Sequence, residues 1–169
     1  KEHGLVGEYF ARSDLNGKGH VYSELTYPNT EEFVWGGDSP SEPAFTRVDK
    51  AIDFNWWDGS PAEELDDDNF GIRWTGYLVP PLSGEYSIGA SGFNAFEIYL
   101  DEELLLSFNN IHHPSYSHET VELEAGKFYP IRVEFYETVN DAKMRLLWSP
   151  PGRDREKEAL DSAAKADVV

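Results

Sequence analysis

Alternation of apolar and polar side chains over residues 69–101 is the feature that most constrains what this chain can fold into. In the first run, Phe70, Ile72 and Trp74 share one phase, which is the period of a strand with one buried face. A pair of prolines ends this run, because proline lacks a backbone donor. Two more alternating runs follow, so the sequence predicts an antiparallel sheet that packs on one side. The predicted segments are strands at 70–79 and 85–89, a loop at 91–95 and a strand at 96–101.

Similar runs occur on both sides of this region. Within residues 51–57, Phe54 and Trp56 take the inward phase and Trp57 takes the outward phase. Gly126 lies in a predicted hairpin turn that requires positive φ. Eight or more short strands separated by turn signals predict an all-β sandwich or barrel. The other predicted strands are 4–10, 120–123, 129–136 and 144–148. Residues 21–50 are predicted to form long loops with one or two short strands, and residues 107–118 a polar, aromatic loop.

Composition and charge narrow the class of partner. Of the 169 residues, 40% are apolar and 14% aromatic, which is enough for one folded domain with a core. Lys and Arg number 14 against 32 Asp and Glu, and the net charge of −18 disfavours nucleic acid and anionic membranes as partners. Cysteine is absent, so no disulfide or thiolate chemistry is predicted. The acidic run at 63–68 lacks the spacing of a helix-loop-helix calcium site and is interpreted as a solvated loop.

The last residues differ in character from the rest. Residues 153–169 are rich in helix formers and end in an apolar Val168-Val169 pair. A helix that leads into an apolar strand is typical of an α/β unit. The sequence therefore predicts a β-sandwich at 1–152, followed at 153–169 by a helix and strand start that belong to a separate α/β domain.

In their order and spacing, the strand sequences resemble the PA14 (protective-antigen-like) domain family over about residues 4–152. The resemblance implies an antiparallel β-sandwich. The matching segments are GLVGEYF at 4–10, IDFNW at 52–56, NFGIRWTGYLVPP at 69–81, SGEYSIG at 83–89, FEIYLDEELL at 96–105, VELEAGKFYPIRVEFYE at 121–137 and MRLLW at 144–148.

The tail adds a second resemblance. EALDSAAKADVV at 158–169 is similar to the helix and strand start of the α/β domain in glycoside hydrolase family 3. In some of those enzymes a PA14 domain is inserted just before such a helix and shapes which sugar chains enter the active site. The resemblance implies that this chain is an insert of an extracellular or periplasmic β-glucosidase-like enzyme, with a few residues of its host. Its expected partners are oligosaccharides or polysaccharides and the catalytic domains of that parent enzyme.

The resemblance to the family also implies a sugar site, which this chain alters. Many PA14 lectins hold calcium with two consecutive aspartates, and the ion binds vicinal sugar hydroxyls. The matching position carries Phe93-Asn94-Ala95, so both carboxylates are absent and no calcium or other cofactor is predicted. An aromatic ring and an amide at a loop tip can instead stack on a sugar face and bond its hydroxyls. Packing of Phe93 beneath the loop and a turn role for Asn94 are the alternatives.

Further candidates surround this predicted loop tip. Adjacent histidines there do not match a helical pair of metal ligands, so no metal is predicted at them. Trp57 is preferred over Trp56 as a sugar platform because of its outward phase. The full set of candidates for carbohydrate binding or substrate gating is Phe93, Asn94, Phe96, Asn109, Asn110, His112, His113, Tyr116 and Trp57.

No catalytic constellation can be assembled from the sequence. Glycoside hydrolysis requires two carboxylates across one sugar, and no motif singles out a pair among the 32 acidic residues. The resemblance implies that the catalytic residues belong to other parts of the host. The sequence therefore predicts a non-catalytic domain whose segments at 93–96 and 109–116 face the host's active site and help select its substrate. An independent carbohydrate-binding module and a structural or dimerisation domain are the alternatives.

Overall fold

The computed structural model describes residues 3–11, 42–65, 67, 70–137 and 141–152, with backbone alone for residues 11 and 109–115. The predicted helix at 153–169 and most of the predicted loop at 21–50 lie outside these residues. The described part contains no helix with the length and apolarity that a membrane span requires. It forms the strands β1 (Leu5–Ala11), β2 (Phe45–Asp49), β3 (Asp53–Trp57), β4 (Phe70–Leu78), β5 (Gly84–Leu100), β6 (Glu103–Leu123), β7 (Tyr129–Glu137) and β8 (Ala142–Ser149).

These strands form one curled antiparallel sheet in which β5 is the common member. The order is β2-β1-β4-β7-β5-β8-β3, and β6 pairs with β5 beside this path. Residues 95–100 of β5 pair with β7, whereas residues 87–92 pair with β8. The larger half of the sheet therefore consists of β2, β1, β4, β7 and the end of β5. The smaller half consists of the start of β5 with β8, β3 and the end of β6, whereas the start of β6 lies beside the end of β5 in the larger half.

The two halves face each other across one core, which confirms the predicted β-sandwich. Phe54 of β3 stacks on Trp74 of β4 with ring centroids 6.1 Å apart. Trp56, also on β3, lies 6.1 Å from the ring of Phe135 on β7. Trp74 is fully buried, as its phase in the sequence predicts. Truncating a buried ring of this kind to alanine typically costs about 3–5 kcal/mol.

Two segments that were predicted as loops are strands. Residues 91–95 belong to β5 and residues 107–118 belong to β6. The two strands form one long hairpin whose turn residues, Asp101 and Glu102, have φ of 52° and 67°. Positive φ at both positions is the geometry of a type I′ turn, whose twist matches that of a hairpin. The loop prediction at 107–118 was wrong. These residues belong to β6, which pairs with β5 alone among the described strands, and backbone hydrogen bonds can hold such a strand without one fully buried face. Its sequence therefore need not alternate between apolar and polar residues.

A buried polar cluster fastens β1 and β2 to β4. The Oδ2 atom of Asp49 accepts hydrogen bonds from the Tyr9 hydroxyl at 2.5 Å and from Trp74 Nε1 at 2.7 Å. Its Oδ1 atom accepts from Arg47 Nε at 2.7 Å, and Arg47 Nη2 donates to the Tyr9 hydroxyl at 2.8 Å. Burial and the bond to Asp49 raise the pKa of Tyr9 far above its usual range. Since the buried groups satisfy one another, the cluster is a structural network.

Candidate functional site

The position matched to the family's sugar site lies where β5 passes from β8 to β7. A Cβ atom added at Gly92 would lie 2.3 Å from the backbone oxygen of Lys143, so only glycine fits against β8 there. The register of β5 against β6 shifts between Gly92 and Asn94, which is a β-bulge. A bulge bends its strand, and here the bend carries β5 from the smaller half of the sheet to the larger half. We call this point the corner.

Asn94 is a structural residue of the corner. Its side chain is fully buried, its φ is 73°, and its Nδ2 atom donates a hydrogen bond to the backbone oxygen of Asp141 at 3.0 Å. Asparagine is favoured at positive φ among residues with a side chain. The structure therefore favours the alternative interpretation, in which Asn94 has a turn role, over a contact with a ligand.

The two phenylalanines of this segment differ in exposure. Phe96 is fully buried and stacks on Phe108 with ring centroids 5.6 Å apart. Its ring belongs to the core, so the prediction that it lines a binding rim is corrected. Phe93 is half-buried and keeps part of its ring at the surface. Its place in a ligand site remains a prediction.

The β6 candidates lie opposite the corner. Asn110 pairs with Asn94, and Asn109 pairs with Ala95. His112 and His113 follow on the same strand. The side chains of these four β6 residues lie outside the described part of the structure, so their role as a rim remains a prediction. The pairing does bring their backbone beside the corner.

Trp57 is the exposed aromatic beside the corner on the other side. It pairs with Ala142 at the start of β8, next to the Asp141 carbonyl that Asn94 holds. Its φ is 51°, the register shifts just before it, and 62% of its surface is exposed. A large apolar ring left this open keeps most of its surface available to stack on a ligand.

Two carboxyl groups lie close together beside Trp57. A side-chain hydrogen bond to Asp58 raises the pKa of Asp141, since the protonated carboxyl of Asp141 is the donor. Their direct contact differs from the carboxyl pairs of glycosidases, which are about 5 Å or more apart with the sugar between them. This pair can accept hydrogen bonds from hydroxyls, but it does not have the geometry for hydrolysis.

Tyr116 is the second exposed aromatic on this side of the molecule. It pairs with Ser91, is 47% exposed and stacks on His118 with ring centroids 5.5 Å apart. Its hydroxyl lies 3.1 Å from the place where a Cβ of Gly89 would be, so the glycine leaves room for the ring to lie along β5. Burial raises the pKa of Tyr116. Covering an exposed strand glycine with a neighbouring ring also stabilises a sheet, so Tyr116 has a structural role as well.

The register joins Tyr116 to the strand that carries Trp57 through a polar row. Tyr116, Ser91, Arg145 and Asp53 follow one another across β6, β5, β8 and β3. Arg145 Nε donates to Asp53 Oδ1 at 2.9 Å. Three strand spacings separate β6 from β3, which is about 14 Å. The outer face of the smaller half therefore carries one exposed ring near each edge and polar groups between them, and we call it the outer aromatic face.

This face was only partly predictable. Trp57 was singled out because of its phase in β3, and Tyr116 because of the polar segment around it. The sequence patterns did not single out Asp58, Asp141 and Arg145. These residues come together only through the pairing of β3, β8 and β5, which no spacing along the chain indicates. Among the described side chains, no group of three or more His, Asp and Glu is placed to hold a metal ion.

Comparison with known proteins gives relatives of two kinds. The chain is 32% identical over 119 residues to the anti-sigma-I factor RsgI3 of Acetivibrio thermocellus, a match that covers 70% of this chain and 18% of the relative. The solved anti-sigma factor domain-containing protein from Clostridium clariflavum is 29% identical, with a TM-score of 0.68, over 89% of this chain and 43% of that one. The chain thus spans less than half the length of either protein.

More distant structures share the fold alone. A PA14 sugar-binding domain from an RTX adhesin is 13% identical, with a TM-score of 0.65, over 91% of this chain and 93% of that one. The β-glucosidase from Kluyveromyces marxianus, solved with glucose, is 16% identical, with a TM-score of 0.60, over 95% of this chain and 18% of that one. Similar folds therefore occur in a sugar-binding domain of an adhesin and in a β-glucosidase.

The family model for the PA14 domain matches residues 1–162. This match spans almost the whole chain, and the curled antiparallel sheet is the fold that the resemblance implied. On these grounds the chain belongs to the PA14 domain family.

Proposed function

We propose that this PA14 domain is a non-catalytic module that binds a neutral saccharide on its outer aromatic face. The single observation that carries the proposal is Trp57, an exposed ring beside the two carboxyl groups of Asp58 and Asp141. Aromatic faces stack on the apolar faces of sugar rings, and carboxylates accept hydrogen bonds from their hydroxyls. The fold of the RTX adhesin domain, which is a sugar-binding domain, supports the same class of ligand.

The charge of the chain supports a neutral ligand. A net charge of −18 repels polyanions, and on the outer aromatic face Arg145 is already paired with Asp53 at 2.9 Å. Saccharide polymers of this kind lie outside the cytoplasm, so we place the domain in an extracellular or periplasmic protein. That the module works on its own, as an independent carbohydrate-binding domain, is part of the proposal.

The experiment is isothermal titration of the 169-residue chain with cellohexaose, xylohexaose and β-glucan oligosaccharides, with calcium and with chelator. The proposal expects binding that Trp57→Ala weakens about tenfold, which is the loss of one stacked ring. Leu82→Ala is the control, because Leu82 is a 55% exposed apolar residue on a different turn. Absence of binding to every oligosaccharide, or equal affinity of Trp57→Ala and the parent chain, would overturn the proposal.

Two hosts are candidates, each on its own observation. A family 3 glycoside hydrolase is supported by the resemblance at 158–169 and by the β-glucosidase of shared fold. There the domain selects the host's substrate, and deleting residues 109–116 from the whole enzyme changes its preference for chain length. A protein related to anti-sigma-I factors is supported by 32% identity over 70% of the chain. There the domain reports extracellular saccharide to the rest of the protein.

The two hosts differ in a measurable way. The complete protein of the first kind hydrolyses an aryl β-glucoside, and its rate depends on carboxylates outside residues 1–169. The complete protein of the second kind has no such activity and binds a sigma factor with an affinity that the saccharide changes. A structural or dimerisation role is the remaining alternative, and it predicts a dimer by light scattering together with no saccharide affinity.

A further inference from the structure

The outer face of the larger half carries a cleft that the proposed function leaves unused. Its volume is about 570 Å³, within the range of about 300–1,000 Å³ that is usual for small-molecule sites. Its lining differs completely from the outer aromatic face, and it lies at the end of β5 away from the corner. The described residues that line it are Val6, Thr75, Gly76, Tyr77, Tyr99, Glu102, Pro130, Ile131 and Arg132.

The register shows how the sheet builds this cleft. Val6, Thr75, Arg132 and Tyr99 follow one another directly across β1, β4, β7 and β5. One row of outward side chains therefore runs across four strands. Tyr77 lies two residues along β4 from this row and is 48% exposed. The rings of Tyr77 and Tyr99, a hydroxyl and a guanidinium therefore give the cleft a mixed lining.

A second row fixes the orientation of Arg132. This second row crosses the same four strands, β1, β4, β7 and β5, beside the first one. Its members, paired in register, are Glu8, Arg73, Glu134 and Glu97. Glu134 Oε1 lies 3.4 Å from the Nε atom of Arg132, and the Arg132 guanidinium carbon lies 4.2 Å from the centre of the Tyr99 ring. Arg132 is therefore held between a buried carboxylate and an aromatic face, while 45% of its side chain stays exposed.

The neighbouring groups also fix Tyr99 and the rim. The Tyr99 hydroxyl donates to Glu97 Oε2 at 2.5 Å, which holds the ring in place. Asp101 donates its backbone N–H to the Pro130 oxygen at 2.8 Å, which fastens the type I′ turn against β7. Glu102, on this turn, places an exposed carboxylate at the mouth of the cleft. A site whose groups are held before a ligand arrives loses less entropy on binding.

The charges select the ligand. An anion would meet the carboxylate of Glu102, with the buried carboxylates of Glu97 and Glu134 close behind the lining, and a cation would meet the guanidinium of Arg132. A neutral polyhydroxyl ligand meets donors on Arg132 and an acceptor on Glu102, with aromatic rings for its apolar faces. We infer that this cleft is a second binding site for a neutral saccharide, with Tyr99 as a ring platform and Arg132 as a donor to hydroxyls. The inference rests on the proposed function only for the class of ligand, a neutral saccharide, and the location of the site does not depend on it.

The test is a titration of the ¹⁵N-labelled 169-residue chain with cellohexaose and xylohexaose, followed by amide chemical shifts. The inference expects shifts at Thr75, Tyr99 and Arg132. These shifts need about tenfold more saccharide in Tyr99→Ala and in Arg132→Gln. Tyr99→Phe keeps the ring and is expected to bind within about twofold of the parent chain. A trigalacturonate titration is the acidic comparison and is expected to shift the same amides more weakly.

Matched variants separate this site from the outer aromatic face. Arg145→Gln removes an arginine of the other half of the sheet and is expected to leave the shifts at Tyr99 unchanged. Trp57→Ala is expected to remove only the shifts near the corner. Shifts confined to the corner would overturn the second binding site in the cleft and leave the proposed function standing. Shifts confined to the cleft would overturn binding on the outer aromatic face and support the second site. Absence of shifts overturns both, and tighter binding of trigalacturonate overturns the neutral ligand.

Discussion

Asn94 and Asp141 are joined by a hydrogen bond of 3.0 Å from Nδ2 to a backbone oxygen, across the point where β5 leaves β8 for β7. This bond fixes the start of β8 against the bulge, because the side-chain amide of Asn94 donates to the backbone there. Trp57 pairs with Ala142, the residue after Asp141, so its exposed ring lies beside this bond.

Asn94→Ala removes the donor and leaves alanine at a φ of 73°. Losing a buried hydrogen bond costs about 1–3 kcal/mol, and a left-handed backbone costs alanine about 1 kcal/mol more. We expect the free energy of unfolding in urea to fall by about 2–4 kcal/mol. Asn94→Gly, which relieves the backbone but not the lost bond, is expected to lose less. An Asn94→Ala chain as stable as the parent would show that the bond contributes nothing.

Gly92→Ala and Gly126→Ala separate a steric clash from backbone strain. At Gly92 the new Cβ would lie 2.3 Å from a backbone oxygen, whereas at Gly126 it would meet nothing within 4 Å, although φ is 77°. We expect Gly126→Ala to cost about 1 kcal/mol and Gly92→Ala about 3 kcal/mol or more, by urea denaturation. Equal losses at the two glycines would contradict the close approach of β5 to β8.

Asp49→Asn tests the cluster that joins β1, β2 and β4. The substitution weakens the acceptor of three donors and leaves the Arg47 guanidinium without its carboxylate. We expect a loss of about 3 kcal/mol in the free energy of unfolding, as for a broken buried charge pair. Asp53→Asn is the matched control, because the Asp53 side chain is 35% exposed whereas that of Asp49 is 6% exposed, and we expect it to cost less than about 1 kcal/mol.

Alkaline pH should destabilise the domain through Tyr9. Its folded-state pKa is raised above the ordinary value of 10.0, first by burial and then by Asp49. The stability linked to Tyr9 is therefore fully present below pH 10.0 and falls as the pH rises above it, since only the unfolded chain loses the proton there. We expect the free energy of unfolding of the parent chain to decline more steeply above this pH than that of Tyr9→Phe. Parallel declines would contradict the buried hydroxyl.

Chelation tests the prediction that the corner holds no calcium. Phe93-Asn94 replaces the two aspartates that the family uses, and Asn94 Nδ2 is bonded to the backbone. We expect saccharide affinity and melting temperature to be the same, within error, in calcium and in chelator. A loss of affinity in chelator would show that other carboxylates, with Asp58 and Asp141 as the first to substitute, bind an ion.

Local sequence patterns were sufficient for the core and for some turns. The phase of Phe70, Ile72 and Trp74 predicted their burial, because one face of a strand must leave water. The phase of Trp57 predicted its exposure, and Gly126 has the positive φ that its hairpin turn requires. These features depend on residues a few positions apart, so a single sequence contains the information.

Features that depend on distant pairing were not predictable. The loop expected at 91–95 is a bulge within β5, because backbone pairing with β6, β7 and β8 outweighs the local turn signals of Gly92 and Asn94. Phe96 was assigned to a rim, although its place at the junction of two sheet halves buries it. The row that joins Arg132 to Tyr99 needs the β7–β5 register, which no alternation in either strand specifies.

The continuity of β5 has a consequence for how the domain unfolds. Since residues 87–92 and 95–100 are parts of one strand, neither half of the sheet can lose its β5 edge without disturbing the other. Amide hydrogens on β8 and on β7 should therefore exchange with solvent through the same opening event, at the same free energy. The outer aromatic face and the face that carries the cleft therefore belong to a single cooperative unit. A mechanical force applied at one face acts on both halves of the sheet through β5.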